Sequence, residues 1–429
     1  MNMTLYPTPL AALSATAAAL LLCSASYAGP ADNAATAAEL SYVGSDTCID
    51  CHQGKASFLE TGHNFKLNKI ENGQAPKYPF TDISDGLQYI KGVDNSAGNP
   101  ESFADVSYVI GGYIRRAMFL DKDGYIMTGS NVRLNLAKDG QAYGPHSSLD
   151  YMAGHAADSH PFSCGSCHTT GWKAYTSEAG DDRNKQRQDN LPGMGGTFAF
   201  GGIQCEACHG AGSQHVEDPS KDNITKVAKG RTAADLRSDS MGHGMAITCA
   251  ECHTKDGERK YPSYDSYFNQ AFGGDSHSGR VMEYPLGARF ASDALLGMDP
   301  DSGEALGAKQ DFSCTDCHNP HLSTTNKDEP GHEGAMLGEC SECHTDIEFA
   351  STADGGGAKG HKMMASCTDC HMPNNIHLFK INLDAPSDDQ SHYSKDGKFR
   401  QPWLRAADSC QQCHSDYDAK AATIKRIHK

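Results

Sequence analysis

What the sequence lacks limits its fold and function. Hydrophobic residues make up only 38% of the 429 residues, below the ~45–50% usual for globular domains, so a core needs another source of apolar surface. Basic residues are also scarce: 37 Lys and Arg oppose 54 Asp and Glu, a formal net charge of −17. This charge disfavours nucleic-acid binding and gives small anionic substrates an unfavourable long-range field.

The chain also lacks cysteines for a disulfide framework, because 16 of its 17 cysteines fall in eight copies of the pattern Cys-x-x-Cys-His. The remaining one, Cys23, lies in an N-terminal apolar run. The cysteine pairs are Cys48 and Cys51, Cys164 and Cys167, Cys205 and Cys208, Cys249 and Cys252, Cys314 and Cys317, Cys340 and Cys343, Cys367 and Cys370, and Cys410 and Cys413. The histidines that complete the eight motifs are His52, His168, His209, His253, His318, His344, His371 and His414.

This pattern is typical of covalent c-type haem attachment. Two thiols on one short turn form thioethers with two haem vinyl groups, and the adjacent histidine takes the first axial position on the iron. Structural zinc sites also use paired C-x-x-C units, but they do not require a histidine after every second cysteine. The sequence therefore predicts eight covalent haem c groups. They would supply the missing apolar surface, and without them we expect the chain to be largely unfolded.

Residues 1–28 have the pattern of a secretory signal peptide, although no Lys or Arg precedes its apolar stretch from Leu10 to Leu22. That stretch is shorter than the ~18 residues of a membrane-spanning helix, and Leu22 stands where a lipoprotein signal before Cys23 needs a small residue. We expect cleavage after Ala28, a flexible linker at 29–45, and export to the periplasm or the cell exterior. No other transmembrane candidate occurs in the sequence.

Residues 46–160 hold the first motif and then a long haem-poor interval. Short β-type runs occur there at Ser107–Ile110, Ala117–Leu120 and Tyr125–Thr128, with a hairpin turn signal at Asp123-Gly124. The turn faintly resembles a calcium loop, but an apolar residue occupies the place of the first ligand. A β-hairpin-containing insert is therefore preferred. From 161 to 429 the other seven motifs follow too closely for separate domains, which predicts short helices and extensive coil around a haem array.

Thirteen histidines lie outside the motifs, and eight are needed if every iron is bound by two histidines. Those in Gly-rich or motif-adjacent settings are the stronger candidates for sixth ligands: His63, His215, His243, His321, His332, His361 and His377. The next candidates are His160 and His277, followed by His155 and His392, whereas His146 and His428 are expected to be bystanders. A lone histidine is otherwise an ordinary surface or core residue.

The spacing of Cys317-His318-Asn-Pro-His321 allows one geometric inference. Two histidines three residues apart on a turn share one side, so they cannot clamp a single iron from opposite faces. His321 is therefore expected to reach a neighbouring haem and to draw two porphyrins together. The same reasoning applies to His209 and His215.

Six of the eight motifs carry an acidic residue between their cysteines: Asp50, Glu206, Glu251, Asp316, Glu342 and Asp369. Negative charge near iron favours the ferric state and lowers its potential, as does a second histidine ligand in place of methionine. The alternative is that these are solvated acids at helix starts. Both interpretations can hold together.

Gly202–His215, Cys167–Trp172 and Cys367–Pro373 resemble segments of the multihaem cytochromes found in nitrogen-cycle and extracellular electron-transfer chains, and the whole chain resembles an octahaem c-type cytochrome. That resemblance implies a multihaem cytochrome c fold that passes electrons between redox partners through mostly bis-His haems. It also implies that subunits can join end to end as an extracellular wire. The alternative is a reductase or oxidase of a small nitrogen or sulfur oxyanion at one open haem, but no CxxCK motif of the related reductases occurs.

The motif count gives a direct prediction about mass. The fully matured protein should carry eight covalent haem increments, because each motif offers two thiols and a histidine. Intact-mass spectrometry of the exported protein measures the count. Fewer than eight increments in fully matured protein would refute the prediction.

Overall fold

The computed structural model describes residues 41–94, 98–136, 145–177, 184–226, 246–247, 249, 252, 314–347, 365–373, 377, 379–383, 403–411 and 413–415. Within these ranges the α-helices are at most seven residues long, and most carry a motif. They are α1 Ser45–Cys51, α2 Gly165–His168, α3 Cys205–His209, α4 Ser213–Glu217, α5 Cys340–Cys343, α6 Cys367–His371 and α7 Ala406–Cys410. Helices this short need tertiary contacts to form. The expected combination of short helices and extensive coil is confirmed.

Turns of 3₁₀-helix complete the helical part of the described chain. They span Gln53–Glu60, Gly86–Tyr89, Phe103–Asp105, Ala157–Ser159, Gln188–Asn190 and Cys314–Asp316. The first follows directly on α1 and carries the chain away from the first motif. The last forms the turn of the fifth motif.

The haem-poor interval forms an antiparallel sheet that is larger than the hairpin insert expected from sequence. Its strands are β1 Leu67–Lys69, β2 Gly92–Val93, β3 Tyr108–Gly111, β4 Arg116–Leu120, β5 Gly129–Leu136 and β6 Pro145–Tyr151. The order is β1-β3-β4-β5-β2, and β6 also pairs with β5. Smaller two-stranded pairings join β7 Thr169–Thr170 to β10 Phe200–Gly201, β8 Lys173–Ala174 to β9 Gly196–Thr197, and β11 Ile381–Asn382 to β12 Leu404–Arg405.

Two of the three predicted β-type runs are strands, and the third is not. Ser107–Ile110 and Ala117–Leu120 fall in β3 and β4, whereas Tyr125–Thr128 makes only isolated bridges, from Tyr125 to Pro161 and from Leu120 to Ile126. The predicted turn is present: Gly124 has a φ of +86°, which glycine adopts readily. Asp121 Oδ1 accepts hydrogen bonds from the N–H groups of Asp123 and Tyr125, so this carboxylate oxygen closes the turn.

A hydrophobic cluster joins the sheet to the second motif. Leu67 and Tyr108 on one side pack with Phe162, Trp172 and Met194 on the other, and all five are buried. The expected division at 160/161 therefore passes through a shared core. A second cluster, which includes Val109, Phe119 and Leu134, lies on the opposite face of the sheet strands.

The sheet also holds the segment that follows the fifth motif. The Tyr113 hydroxyl donates a 2.6 Å hydrogen bond to the Glu60 carbonyl and accepts one of 2.7 Å from Asn326 Nδ2. Asn326 is buried, and its backbone N–H donates to Ser323 Oγ. The sheet insert is thus part of the framework that positions the motifs. Among the residues that the structure describes, no helix is long and apolar enough to cross a membrane.

The contact between Gly165 and Trp172 gives a test of this packing. A Cβ at Gly165, inside the second motif, would lie 1.9 Å from Trp172 Cε3. Gly165→Ala should therefore destabilise the protein by about 1–3 kcal/mol through overpacking and reduce haem incorporation at Cys164 and Cys167. Denaturant unfolding and peptide mass mapping measure the two effects.

The matched control is Gly54→Ala, because no heavy atom lies within 4 Å of a Cβ at that position. This control should leave stability and haem content nearly unchanged. Equal behaviour of the two variants would contradict the role assigned to the Trp172 contact.

Candidate functional site

Several motif histidines are held by a hydrogen bond from Nδ1 to a backbone carbonyl. His168 Nδ1 lies 3.1 Å from the Lys66 oxygen, and His209 Nδ1 lies 2.7 Å from the Thr225 oxygen. His371 Nδ1 lies 2.5 Å from the Phe379 oxygen. A carbonyl only accepts, so Nδ1 carries the proton and Nε2 keeps a lone pair for a metal. These rings are in the state that iron ligation requires.

Three motif histidines face a second histidine from a distant part of the chain. The ring centroids of His52 and His215 are 6.3 Å apart with planes 15° from parallel. Those of His209 and His321 are 6.1 Å apart at 9°. The third pair, His318 and His377, is 6.0 Å apart at 50°.

This separation is the one that a shared metal needs. Two imidazoles that bind one iron from opposite sides, each through a nitrogen about 2 Å from the metal, place their centroids about 6 Å apart. The donor set is also suitable, since paired neutral imidazoles beside a C-x-x-C turn are ligands of c-type haem. The three pairs therefore fit haem.

The pairs follow a regular order along the chain. His52 of the first motif faces His215, which lies six residues after the third motif histidine. The third motif histidine in turn faces His321, three residues after the fifth, and the fifth faces His377, six residues after the seventh. Each of these motifs is thus joined to the next odd-numbered one by a companion histidine.

Burial favours the neutral form of two of the paired rings, His318 and His321. It lowers the pKa of His318, and the charge of His377 lowers it further. It also lowers the pKa of His321, to which the charges of Lys55 and His209 add. A neutral imidazole is the form that binds metal. The ring of His215 is held by hydrogen bonds, because its Nδ1 lies within 3.0 Å of both the Ser220 carbonyl and Asn223 Oδ1.

Cysteines of different motifs also lie close together. The thiols of Cys48 and Cys205 share a hydrogen bond, which raises the pKa of Cys48 and lowers that of Cys205 to about 6. Cys249 and Cys314 make the same contact, and the pKa of Cys249 falls to about 6. Thioether formation removes these protons, so what persists in a loaded protein is the proximity of the attachment points.

Weaker electrostatic contacts extend this proximity to the remaining motifs. Burial, followed by the charge of Cys249, raises the pKa of Cys208 to about 12. Burial and then Cys367 raise the pKa of Cys340, and burial and then Cys410 raise that of Cys370. The second motif is linked to the fourth by a 3.8 Å contact from Cys252 Sγ to the Ser166 carbonyl.

The last two motifs are joined by a hydrogen bond as well. Ser409 Oγ donates a 2.7 Å bond to the Cys370 carbonyl. The helix start before Ser409 is closed by a buried ion pair, in which Arg405 Nη2 lies 3.3 Å from Asp408 Oδ1. Such a pair is well satisfied because Asp408 also accepts from the Arg405 backbone N–H.

Other predicted sixth ligands have different surroundings. The ring of His63 stacks on Phe58 with centroids 6.4 Å apart. His160 Nδ1 lies 2.7 Å from Ser159 Oγ, and the ring of His155 lies 5.1 Å away. These contacts do not bring His63 or His160 to a motif histidine. They do not test ligation by either residue, which stays a prediction.

His332 is fully buried, and its Nε2 has no hydrogen-bond partner among the described residues, so its ligation stays a prediction. Its Nδ1 accepts a 3.0 Å hydrogen bond from the Ser323 backbone N–H, so its proton lies on Nε2, 3.6 Å from Glu60 Oε2. A ring in this tautomer presents an N–H rather than a lone pair at Nε2. Iron ligation through Nε2 would require the Ser323 bond to break. The predicted ligands His243, His253, His277 and His361 lie outside the described residues.

Sequence reasoning identified the motifs and some companion histidines but missed the groups that orient them. The carbonyls of Lys66, Thr225 and Phe379 carry no sequence signal, because any residue supplies a carbonyl. In the sequence the buried Glu206 is one of six acids between motif cysteines. Its distinguishing signal was available: it is the first residue between its cysteines, whereas the other five acids are the second.

Comparison with known proteins gives a limited relationship. No family model matches the sequence. The multiheme cytochrome MtrA of Shewanella baltica is 23% identical over 244 residues, which are 50% of this chain and 56% of that protein. The match thus spans only about half the length of each protein.

Two solved structures show a weak overall likeness. An undecaheme cytochrome from the S-layer of Carboxydothermus ferrireducens is 20% identical, with a TM-score of 0.39 over 89% of this chain and 59% of that one. The outer cell wall cytochrome OcwA is 17% identical, with a TM-score of 0.40 over 87% of this chain and 83% of that one.

Proposed function

We propose that the chain, a multihaem c-type cytochrome, binds eight haem c groups and carries electrons along them between redox partners outside the cytoplasm. Each group would be held by the two cysteines and the histidine of one motif. Bound haem iron supplies a one-electron couple whose potential depends on its axial ligands, nearby charge and exposure. The protein itself would set the order, spacing and surroundings of these centres.

The observation that supports this proposal best is the companion-histidine pattern. His215, His321 and His377 each belong to the segment of one odd-numbered motif and face the histidine of the preceding odd-numbered motif. A shared iron would cross-link the two segments at each pair. Adjacent centres would then be fixed at short separation, which is what electron transfer along a chain requires.

The cysteine contacts support a continuous array in the same way. Thiols of the first and third motifs share a hydrogen bond, as do those of the fourth and fifth, and thiols of the third and fourth and of the seventh and eighth interact electrostatically. The second motif contacts the fourth through Ser166. Since each cysteine is an attachment point, neighbouring haem edges would approach wherever these sulfurs approach.

Export and partners are part of the proposal. Residues 1–28 would direct the chain out of the cytoplasm, where c-type maturation takes place in cytochromes of this kind. Electron donors and acceptors would be other redox proteins, and association of copies end to end would extend the array. The net charge of −17 favours partners with a basic docking surface.

The companion pattern predicts the effect of losing one sixth ligand. His321→Ala should open the iron held by His209 without removing a haem, because the cysteines and histidine of the third motif remain. About one iron in eight should become high-spin, and the reduced protein should bind about one equivalent of carbon monoxide. Electron paramagnetic resonance, carbon monoxide titration and intact mass measure the three quantities.

The control is His146→Ala, at a histidine on strand β6 that we expect to bind no iron. It should keep the native low-spin spectrum and eight haems. An unchanged low-spin spectrum in His321→Ala would remove the support that the His209–His321 pair gives to the proposal.

The native protein distinguishes electron transfer from the reductase alternative. If every iron has two histidine ligands, the oxidised full-length protein should show low-spin signals and no high-spin haem in electron paramagnetic resonance. A stoichiometric high-spin signal would indicate an open iron and favour catalysis on a small nitrogen or sulfur oxyanion. Nitrite and sulfite turnover by the same sample would then identify the substrate class.

A further inference from the structure

Glu206 is a buried carboxylate placed between two cysteines of the third motif. Its residue is 1% exposed, whereas Glu342 and Asp369, at the second position between their own cysteines, are both exposed. Burying a carboxylate is costly unless hydrogen bonds satisfy it. The hydrogen-bond donors to Glu206 therefore show which parts of the chain its burial holds together.

Three backbone N–H groups donate to this carboxylate, two from the segment before the first motif and one from just after the third motif. The Gly44 N–H donates to Oε2 at 2.8 Å, and the Val43 N–H lies 2.9 Å from Oε1 and 3.1 Å from Oε2. The Gly212 N–H donates to Oε1 at 2.8 Å. Hydrogen bonds to an ionised acceptor are stronger than those between neutral groups, so this cluster fixes three points of the chain to one side chain.

Two of the donors stand just before the helices that position one histidine pair. Gly44 immediately precedes α1, which ends just before His52. Gly212 immediately precedes α4, which contains His215. The positions of both imidazoles therefore depend on the same carboxylate, through helices of seven and five residues.

Further bonds at this junction show that it is built from both segments. Ser41 N–H donates to Ser213 Oγ at 3.0 Å, and Ser213 N–H donates back to the Ser41 carbonyl. Cys205 N–H donates to Ser45 Oγ at 3.1 Å. The Glu206 carboxylate lies at the centre of these contacts and is the one charged group among them.

We infer that Glu206 is the positioning residue for the iron shared by His52 and His215, and that its charge lowers the potential of the haems at the first and third motifs. The inference rests on the proposed function, since it requires that this pair bind haem. A negative charge stabilises the ferric form. Because the carboxylate is buried beside Cys48 and Cys205 at the meeting point of the two motifs, its effect is screened less than that of the exposed acids.

The experiment compares Glu206→Gln with Glu342→Gln in the full-length, matured protein. Glu206→Gln keeps the side-chain size but removes the charge and turns an NH₂ group towards backbone donors. One or two components of the eight-haem redox titration should shift to higher potential, and one low-spin resonance should change. Glu342→Gln, at an exposed glutamate of another motif, should leave both unchanged.

Two further variants separate charge from packing and from ligand assignment. Ser45→Ala removes the bond to Cys205 without changing any charge, so it should not reproduce the shift in potential. His215→Ala should open one iron and produce a high-spin signal. If it does not, the ligand assignment in the proposed function fails, and this inference fails with it.

The remaining outcomes decide the inference on its own. If His215→Ala opens an iron while Glu206→Gln keeps native potentials and signals, Glu206 has no positioning or tuning role. If Glu206→Gln is recovered with seven haems, peptide mapping must find the loss at Cys48 and Cys51 or at Cys205 and Cys208. Loss at any other motif would overturn the inference.

Discussion

Imidazoles from distant segments lie in pairs in this protein, and the proposed haem sites depend on this pairing. A chain with 38% hydrophobic residues cannot rely on side-chain burial alone. Two of the three pairs, such as His209 with His321, bring together residues more than a hundred positions apart at the spacing of a shared metal. Closing such long loops is entropically costly, and strong bonds to a bound group would offset that cost. Fold and cofactor loading are therefore expected to be one cooperative event.

Sequence reasoning reached part of this arrangement because part of it is local. The three-residue spacing of His318 and His321 excludes a shared iron whatever the fold, and the structure places the two rings in different pairs. The identity of each partner was out of reach, because it depends on how distant loops close. For the same reason a local window did not reveal that the ring of His332 lies against Ser323 and Glu60.

The sheet insert shows the same division between local and non-local information. Its turn at Gly124 and the strands β3 and β4 follow from alternation and turn chemistry, which a short window contains. The extent of the sheet does not follow from such a window, because β1 and β6 lie far along the chain from that turn and are defined by their pairing partners. Nor does a local window reveal that Phe162 and Trp172 of the second-motif region complete the core of this sheet.

The acids between the motif cysteines show why one sequence feature can have several physical roles. Asp369 is exposed and closes its helix start, with Ser366 N–H donating to it at 2.7 Å. Glu342 is exposed at its own motif. Among the acids between motif cysteines that the structure describes, only Glu206 is buried, and its donors precede the first motif and follow the third. Solvent screens the first two charges, so the tuning first ascribed to six acids is expected mainly from the one whose carboxylate is removed from water.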